Sequence, residues 1–414
     1  IYITCNILAC NTQFSKKIDI RFLDDEDIDK DRHLVCSYLN LKNISTHFAT
    51  PSNSPQLGIN GSYLVVYNYL KAEEQYKINE TVTYSTHTTS RFIKHVKELS
   101  ERWDGPVSVA VFVPGYDFCS SIIQILKLRE CGNHLIKRKV SWHIYWHKEF
   151  PPAIDWTKLD ITPYINCSFN YMLPSRSWRY IKGLKYPINV GRNVARNASK
   201  TWFILPSDIE LYPSKNLSNQ FISFIGNENF TKKSNIGKLW PRVYVVPVFE
   251  VQNKIPDTKE ELVAQVSRGD AIYFHRHVCS HCQKIPGLNS WLHRLGKPNE
   301  IHAFSSVKRH FPYHRWEPIF ISTNNEPLYD ERLSWEGLQD KMSQMHELCL
   351  RNYNLVILDR AYLVHSPGIK KKGRKTASSD TWREPFIKAN SITYDIIMGE
   401  LQRKLGNNYK CRKH

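Results

Sequence analysis

Apolar and polar residues alternate along much of this chain with two different periods, and the switches between them mark the elements. The run "ETVTYST" (80–86) is β-rich, and "SRFIKHVKELSERW" (90–103) repeats its apolar positions at helical spacing. "VSVAVFVPG" (107–115) is continuously apolar and is closed by Pro114 and Gly115, the pattern of a strand covered on both faces. "DFCSSIIQILKLREC" (117–131) predicts a helix, "VSWHIYWH" (140–147) a strand and "INVGRNVARNASK" (188–200) a second helix. Strand, helix and strand in repetition imply an α/β fold with a mostly parallel sheet. Ligands of such sheets sit beyond the carboxyl ends of the strands.

At one such end the chain reads "WFILPSDIELYPS" (202–214), four apolar residues and then two carboxylates, Asp208 and Glu210. On an extended segment these would share a face, and two like charges that close require a cation. Three explanations fit a strand-terminal D-x-E. It is a capped turn, a metal-dependent nuclease site, or a nucleotide-sugar transferase site in which the acids hold Mg²⁺ or Mn²⁺ against a diphosphate. A nuclease needs further carboxylates in its own spacing, and no convincing set is present.

The remaining chemistry is distributed. "GRNVAR" sets Arg192 and Arg196 one helical turn apart with Asn193 beside them, suited to phosphate or to a solvated face. "HRHVCSHCQ" (275–283) mixes histidines with a C-x₂-C pair, which fits structural zinc less well than disulfides. Trp316 reads as core, whereas Trp335, in "LSWEGLQDK", reads as a sugar platform.

Composition narrows the setting. The 414 residues carry a formal charge of +18, which suits an anionic partner such as a nucleotide or an acidic glycan. Ten cysteines and seven N-x-S/T sequons (Asn43, Asn60, Asn79, Asn166, Asn197, Asn216 and Asn229) point to the secretory pathway. No stretch spans a bilayer, but "IYITCNILAC" reads as the end of a membrane anchor that begins before Ile1. The expected organisation is a stem over 1–61, a catalytic α/β unit over 62–400 and a tail over 401–414.

The ordered series "YLVVYNYL" (63–70), "ERWDGPVSVAVFVPG" (101–115), "YPINVGRNVARN" (186–197), "LPSDIELYPS" (205–214), "VYVVPVFEV" (243–251), "WEPIFI" (316–321), "LYDERLSWEGLQDKMSQMHEL" (328–348) and "LVILDRAYLVHSPGIK" (355–370) resembles glycosyltransferase family 49. The resemblance implies a GT-A fold in a type II Golgi membrane protein, and an inverting, Mn²⁺-dependent transfer from a UDP-sugar. By that likeness Asp208, Glu210 and His365 hold the metal, and Arg192 and Asn193 lie near the donor; Arg196, one helical turn from Arg192, and Lys370, just after His365 and Gly368, are further candidates for its diphosphate. The donor is expected to be UDP-glucuronate and the acceptor a xylose-containing glycan. UDP-N-acetylglucosamine, UDP-xylose, or glycan binding without turnover stand as alternatives. For the base, Asp340 is expected in the first turn of a helix after Gly337. Family members carry Asn at that position, so Asp330, which matches an acid in them, is the second candidate and Glu336 the third.

Overall fold

The computed structural model describes Cys36 and residues 61–155, 165–171, 173–228, 241–294, 296–298, 300–369 and 381–412. The stem reading and Lys370 lie outside them, apart from Cys36 and Gly61. The parallel heart of the fold is formed by β2 (Val82–Thr88), β3 (Val107–Phe112), β4 (Val140–His147) and β5 (Phe203–Pro206), in the order β4-β3-β2-β5. Every residue of β2 and β3 is buried, as a strand covered on both faces requires. The predicted helices fall in place: α1 (Val96–Arg102) follows a 3₁₀ turn at Ser90–His95, α2 spans Asp117–Cys131 and α5 spans Ile188–Ala198. Between them lie two short helices, α3 (His134–Lys139) and α4 (Trp178–Ile181).

The sheet is more mixed than expected. β1 (Tyr63–Leu70) runs antiparallel to β4, and β11 (Phe320–Thr323) runs antiparallel between β5 and β7 (Arg242–Val245). β12 (Asn354–Asp359) lies parallel to β7, and β10 (His302–Val307) closes the edge of the nine-stranded sheet. The second half therefore continues the same sheet through a reversed strand, which short apolar runs such as "FIST" do not announce.

A small second sheet has the order β6-β13-β8-β9, built from β6 (Leu211–Pro213), β13 (Leu363–His365), β8 (Val248–Val251) and β9 (Ala271–Tyr273). Trp316 and Trp291 are buried in the core of the second half, among residues 243–364, as read for Trp316. Helix α10 (Glu384–Leu405) crosses the boundary drawn at 400, and Cys411 is disulfide-bonded to Cys349 of α9 (Met342–Leu350), so the tail is stapled to the body. All eight cysteines among the described residues pair: Cys36–Cys119, Cys131–Cys167, Cys279–Cys282 and Cys349–Cys411. The C-x₂-C is a disulfide rather than a zinc site. No helix among the described residues is long and apolar enough to cross a membrane.

Candidate active site

The site begins where β5 stops. Pro206 is its last residue, and the next four residues turn instead of extending: the Leu211 amide donates to the Asp208 carbonyl at 3.1 Å. The buried Tyr84 hydroxyl enforces the turn by donating to the carbonyls of both Asp208 and Leu211. Asp208 and Glu210 are therefore not neighbours on one strand face, as alternation predicted. The turn sends them to different partners.

Glu210 meets His365. Pairing of β6 with β13 sets His365 opposite Leu211, and the Ser366 amide donates to the Glu210 carbonyl at 2.8 Å. The ring Nδ1 donates to the Ser366 carbonyl at 2.7 Å, which turns Nε2 to Glu210 Oε1 at 3.3 Å. Phe274 stacks on the imidazole with centroids 5.4 Å apart. The hydrogen bond from His365 holds the Glu210 carboxyl below its ordinary range. An oriented imidazole nitrogen beside a partly exposed carboxylate is a donor pair that suits a divalent cation.

Asp208 sits among cations. Lys341 Nζ and Arg192 Nη2 each lie 3.3 Å from its carboxylate, and His87 Nε2 lies 3.4 Å away. Burial disfavours its charge, but Lys341, the His87 hydrogen bond and Arg192 outweigh burial and hold its pKa well below the usual range. His87, pushed down by burial, keeps its other nitrogen on the Tyr186 hydroxyl at 2.7 Å. Two carboxylates and an imidazole suit Mn²⁺ or Mg²⁺ in chemistry, but the ligand atoms of Asp208, Glu210 and His365 do not all lie within 4.8 Å of one another.

Helix α5 connects this loop to the second half of the site. Gly191 lets the helix seat against β4, because a Cβ there would lie 2.5 Å from the Tyr145 hydroxyl. The next residue, Arg192, is buried; it donates to Asn189 Oδ1 at 2.8 Å and is paired with both Asp208 and the Asp340 carboxylate. Burial opposes its charge, and Asp340 and Asp208 raise its pKa regardless. One guanidinium thus bridges Asp208 and the loop before α9.

Asn193 and Arg196, expected beside the donor, face elsewhere. Asn193 exchanges hydrogen bonds with the backbone of Tyr329 and donates to Glu331, while Arg196 donates to the carbonyls of Glu326 and Pro327. Both latch the 326–331 segment to α5. Asp340 precedes α9 instead of occupying its first turn, since Lys341 is the N-cap. Asp330 is gripped by Arg332 through Nε at 2.9 Å and Nη2 at 2.7 Å, and Arg332 is also paired with Glu400. Glu336 is buried against the Tyr186 amide and Arg179.

Trp335 is 42% exposed, with the Arg383 guanidinium stacked at 4.4 Å from its ring. Asn390 of α10 clamps this loop through the backbone of Ser334 and Leu338, and a Cβ on Gly337 would lie 2.2 Å from the Asn390 side chain. Sequence reasoning missed His87, Asn189, Lys341 and Asn390. Only Lys341, next to an acid already singled out, had a local signal.

A profile of the family described as "Glycosyl-transferase for dystroglycan" matches residues 81–406, which takes in every strand except β1 and all the candidate site residues. The chain belongs to glycosyltransferase family 49. Its α/β fold is that of a glycosyltransferase. Among similar members, β-1,4-glucuronyltransferase 1 of Danio rerio is 29% identical over 320 residues, covering 72% of this chain and 68% of the relative. The Homo sapiens protein of the same name is 24% identical over 365 residues, covering 85% and 82%. The xylosyl- and glucuronyltransferase LARGE1 of Danio rerio is 23% identical over 297 residues, covering 70% of this chain and 31% of that protein. This family 49 member is therefore a glycosyltransferase whose D-x-D-like acids, Asp208 and Glu210, are fixed by a turn.

Proposed function

We propose that this glycosyltransferase moves glucuronic acid from UDP-glucuronate, with inversion and hence in β linkage, to a xylose-containing glycan acceptor. The observation that carries the reading is the Glu210–His365 pair at the carboxyl end of β5, on the same turn as Asp208, which is paired with the buried Arg192. The names of the similar glucuronyltransferases support the choice of sugar.

In this reading Asp208, Glu210 and His365 hold Mn²⁺, which when bound neutralises charge on the leaving diphosphate. Arg192 and Lys341 balance Asp208 and present positive charge to the same diphosphate. Lys370, outside the described residues, is proposed for the same task. The exposed Trp335 ring, backed by Arg383, offers an apolar face for the acceptor sugar. Four sequon asparagines among the described residues, Asn79, Asn166, Asn197 and Asn216, are all exposed, and with the disulfides they support a Golgi-lumenal enzyme carried by a type II anchor.

The test is UDP release from a panel of UDP-glucuronate, UDP-xylose and UDP-N-acetylglucosamine, with xylose-terminated acceptors, with and without Mn²⁺. Acceptor-dependent release from UDP-glucuronate alone is expected. Full turnover in excess chelator removes the metal from the reading, and release from another donor replaces the sugar. No release from any donor leaves a glycan-binding protein.

A further inference from the structure

Inversion requires a carboxylate that takes the acceptor's hydroxyl proton, and the three acids nearest the expected helix start are all engaged. Asp340 is paired with Arg192, Asp330 with Arg332, and Glu336 with Arg179 and an amide. Each of these carboxylates already has a charge-assisted hydrogen-bond partner within the fold. A fourth acid, Glu317 of "WEPIFI", differs from them. Among the described residues its carboxylate has neither a hydrogen bond nor a salt bridge, although it is largely withdrawn from solvent.

The backbone around Glu317 is fixed on every side. The buried Arg309 Nε donates to the Trp316 carbonyl at 2.9 Å, the Glu317 amide donates to the Cys282 carbonyl at 2.8 Å, and Gln283 Nε2 donates to the Glu317 carbonyl at 2.7 Å. Pro318 follows and restricts the junction. Pro318, Ile319 and Phe320 line a small cavity with Arg192, Asp208, Tyr329, Lys341 and Met345. The charged groups that act on the carboxylate are Lys341 and Asp340 from the loop before α9, Arg192 from α5 and Arg309. The disulfide Cys279–Cys282 closes the turn whose Cys282 carbonyl holds the Glu317 amide. An acid without a side-chain partner on so rigid a support, directly before the Pro318–Phe320 stretch that lines the cavity beside Asp208, is a placement with no structural task to explain it.

We propose that Glu317 is the general base of the transfer, a role that rests on the glycosyl-transfer reading above. As the acceptor oxygen forms its bond to the anomeric carbon, its proton passes to Glu317. The bond from that carbon to the diphosphate oxygen breaks, and UDP leaves with the electron pair. Burial pushes the Glu317 carboxyl up to about 6, which matches a base that works near neutral pH.

The experiment compares the wild type with Glu317→Gln, Glu317→Asp and Asp340→Asn in the full chain. Transfer is followed across pH 5 to 8, and UDP affinity is measured by calorimetry with Mn²⁺. Glu317→Gln should lose at least about a hundredfold in kcat with UDP affinity within twofold of wild type. Glu317→Asp should recover part of that loss. The wild-type kcat/KM should fall below about pH 6, and Asp340→Asn should move that limb to lower pH, because the Asp340 charge helps to raise Glu317. Near wild-type turnover in Glu317→Gln overturns the assignment, as does a joint loss of turnover and UDP binding, which marks a structural role. A dead Asp340→Asn beside an active Glu317→Gln gives the base to Asp340. If the wild type transfers no sugar at all, the transfer reading itself fails and takes the base with it.

Discussion

The loop after β5 and the segment before β11 both line one cavity, and each carries an acid, Asp208 in the lining and Glu317 next to it in sequence, whose surroundings give the two opposite character. Asp208 lies within 3.4 Å of Arg192, Lys341 and His87, and stays ionised far into the acid range. Glu317 has no such contact, and burial raises it to about 6. The residue types are nearly the same. What assigns one to a cation and the other to a proton is the direction in which the backbone delivers each.

The strongest way to break this comparison is Asp208→Asn. The nearly isosteric change removes the anion but leaves the turn held by Tyr84, so the fold should persist while transfer falls on the order of a thousandfold. Activity assays and Mn²⁺ titration by calorimetry read both parts. A variant that still binds Mn²⁺ as wild type would detach Asp208 from the metal.

Arg192→Ala tests the bridge between the two halves. It leaves Asp208 and Asp340 without their shared guanidinium, and breaking a buried pair of this kind costs about 3 kcal/mol. UDP affinity should fall roughly tenfold, more than acceptor affinity does. Denaturant unfolding and UDP calorimetry decide it; unchanged UDP binding would confine Arg192 to a structural role.

A smaller effect is expected on the acceptor side. Trp335→Ala removes a ring that is half open to solvent and should raise the acceptor KM about fivefold through lost stacking, with UDP affinity unchanged. An unchanged acceptor KM would return Trp335 to a packing partner of Arg383.

The smallest effect separates stability from turnover. The folded Glu317 holds its proton to higher pH than an unfolded one, so stability declines as pH rises from the ordinary carboxylate value through about 6. Glu317→Gln removes that burden. It should be more stable than wild type by on the order of 1 kcal/mol at pH 7.5, and no more stable at about pH 4, below the ordinary carboxylate value. Asp208 has the reverse sign: its contribution is complete at neutral pH and is lost only well into acid. Thermal melts at the two pH values report the difference.

Periodicity determined the parallel heart of this protein. Runs such as "VSVAVFVPG" and "DFCSSIIQILKLREC" bury or display their apolar residues by strictly local geometry, and the elements Val107–Phe112 and Asp117–Cys131 follow almost residue for residue. The strand-terminal acids were visible for the same reason. Tertiary structure alone decided what the acids touch. His365 reaches Glu210 across 155 residues through pairing of two three-residue strands, too short to carry a periodic signal. Arg192 and Asn193 are adjacent in sequence, yet one faces Asp208 and the other the Tyr329 backbone, because successive helix positions point about 100° apart. The choice among Asp330, Asp340, Glu336 and Glu317 depends on which of them a cation engages: Arg332 lies two residues from Asp330, but Arg192 and Arg179 reach Asp340 and Glu336 only when the chain has folded. Local pattern fixes an element because its cause lies within a few residues; a side chain's charge state is set by neighbours that only packing supplies.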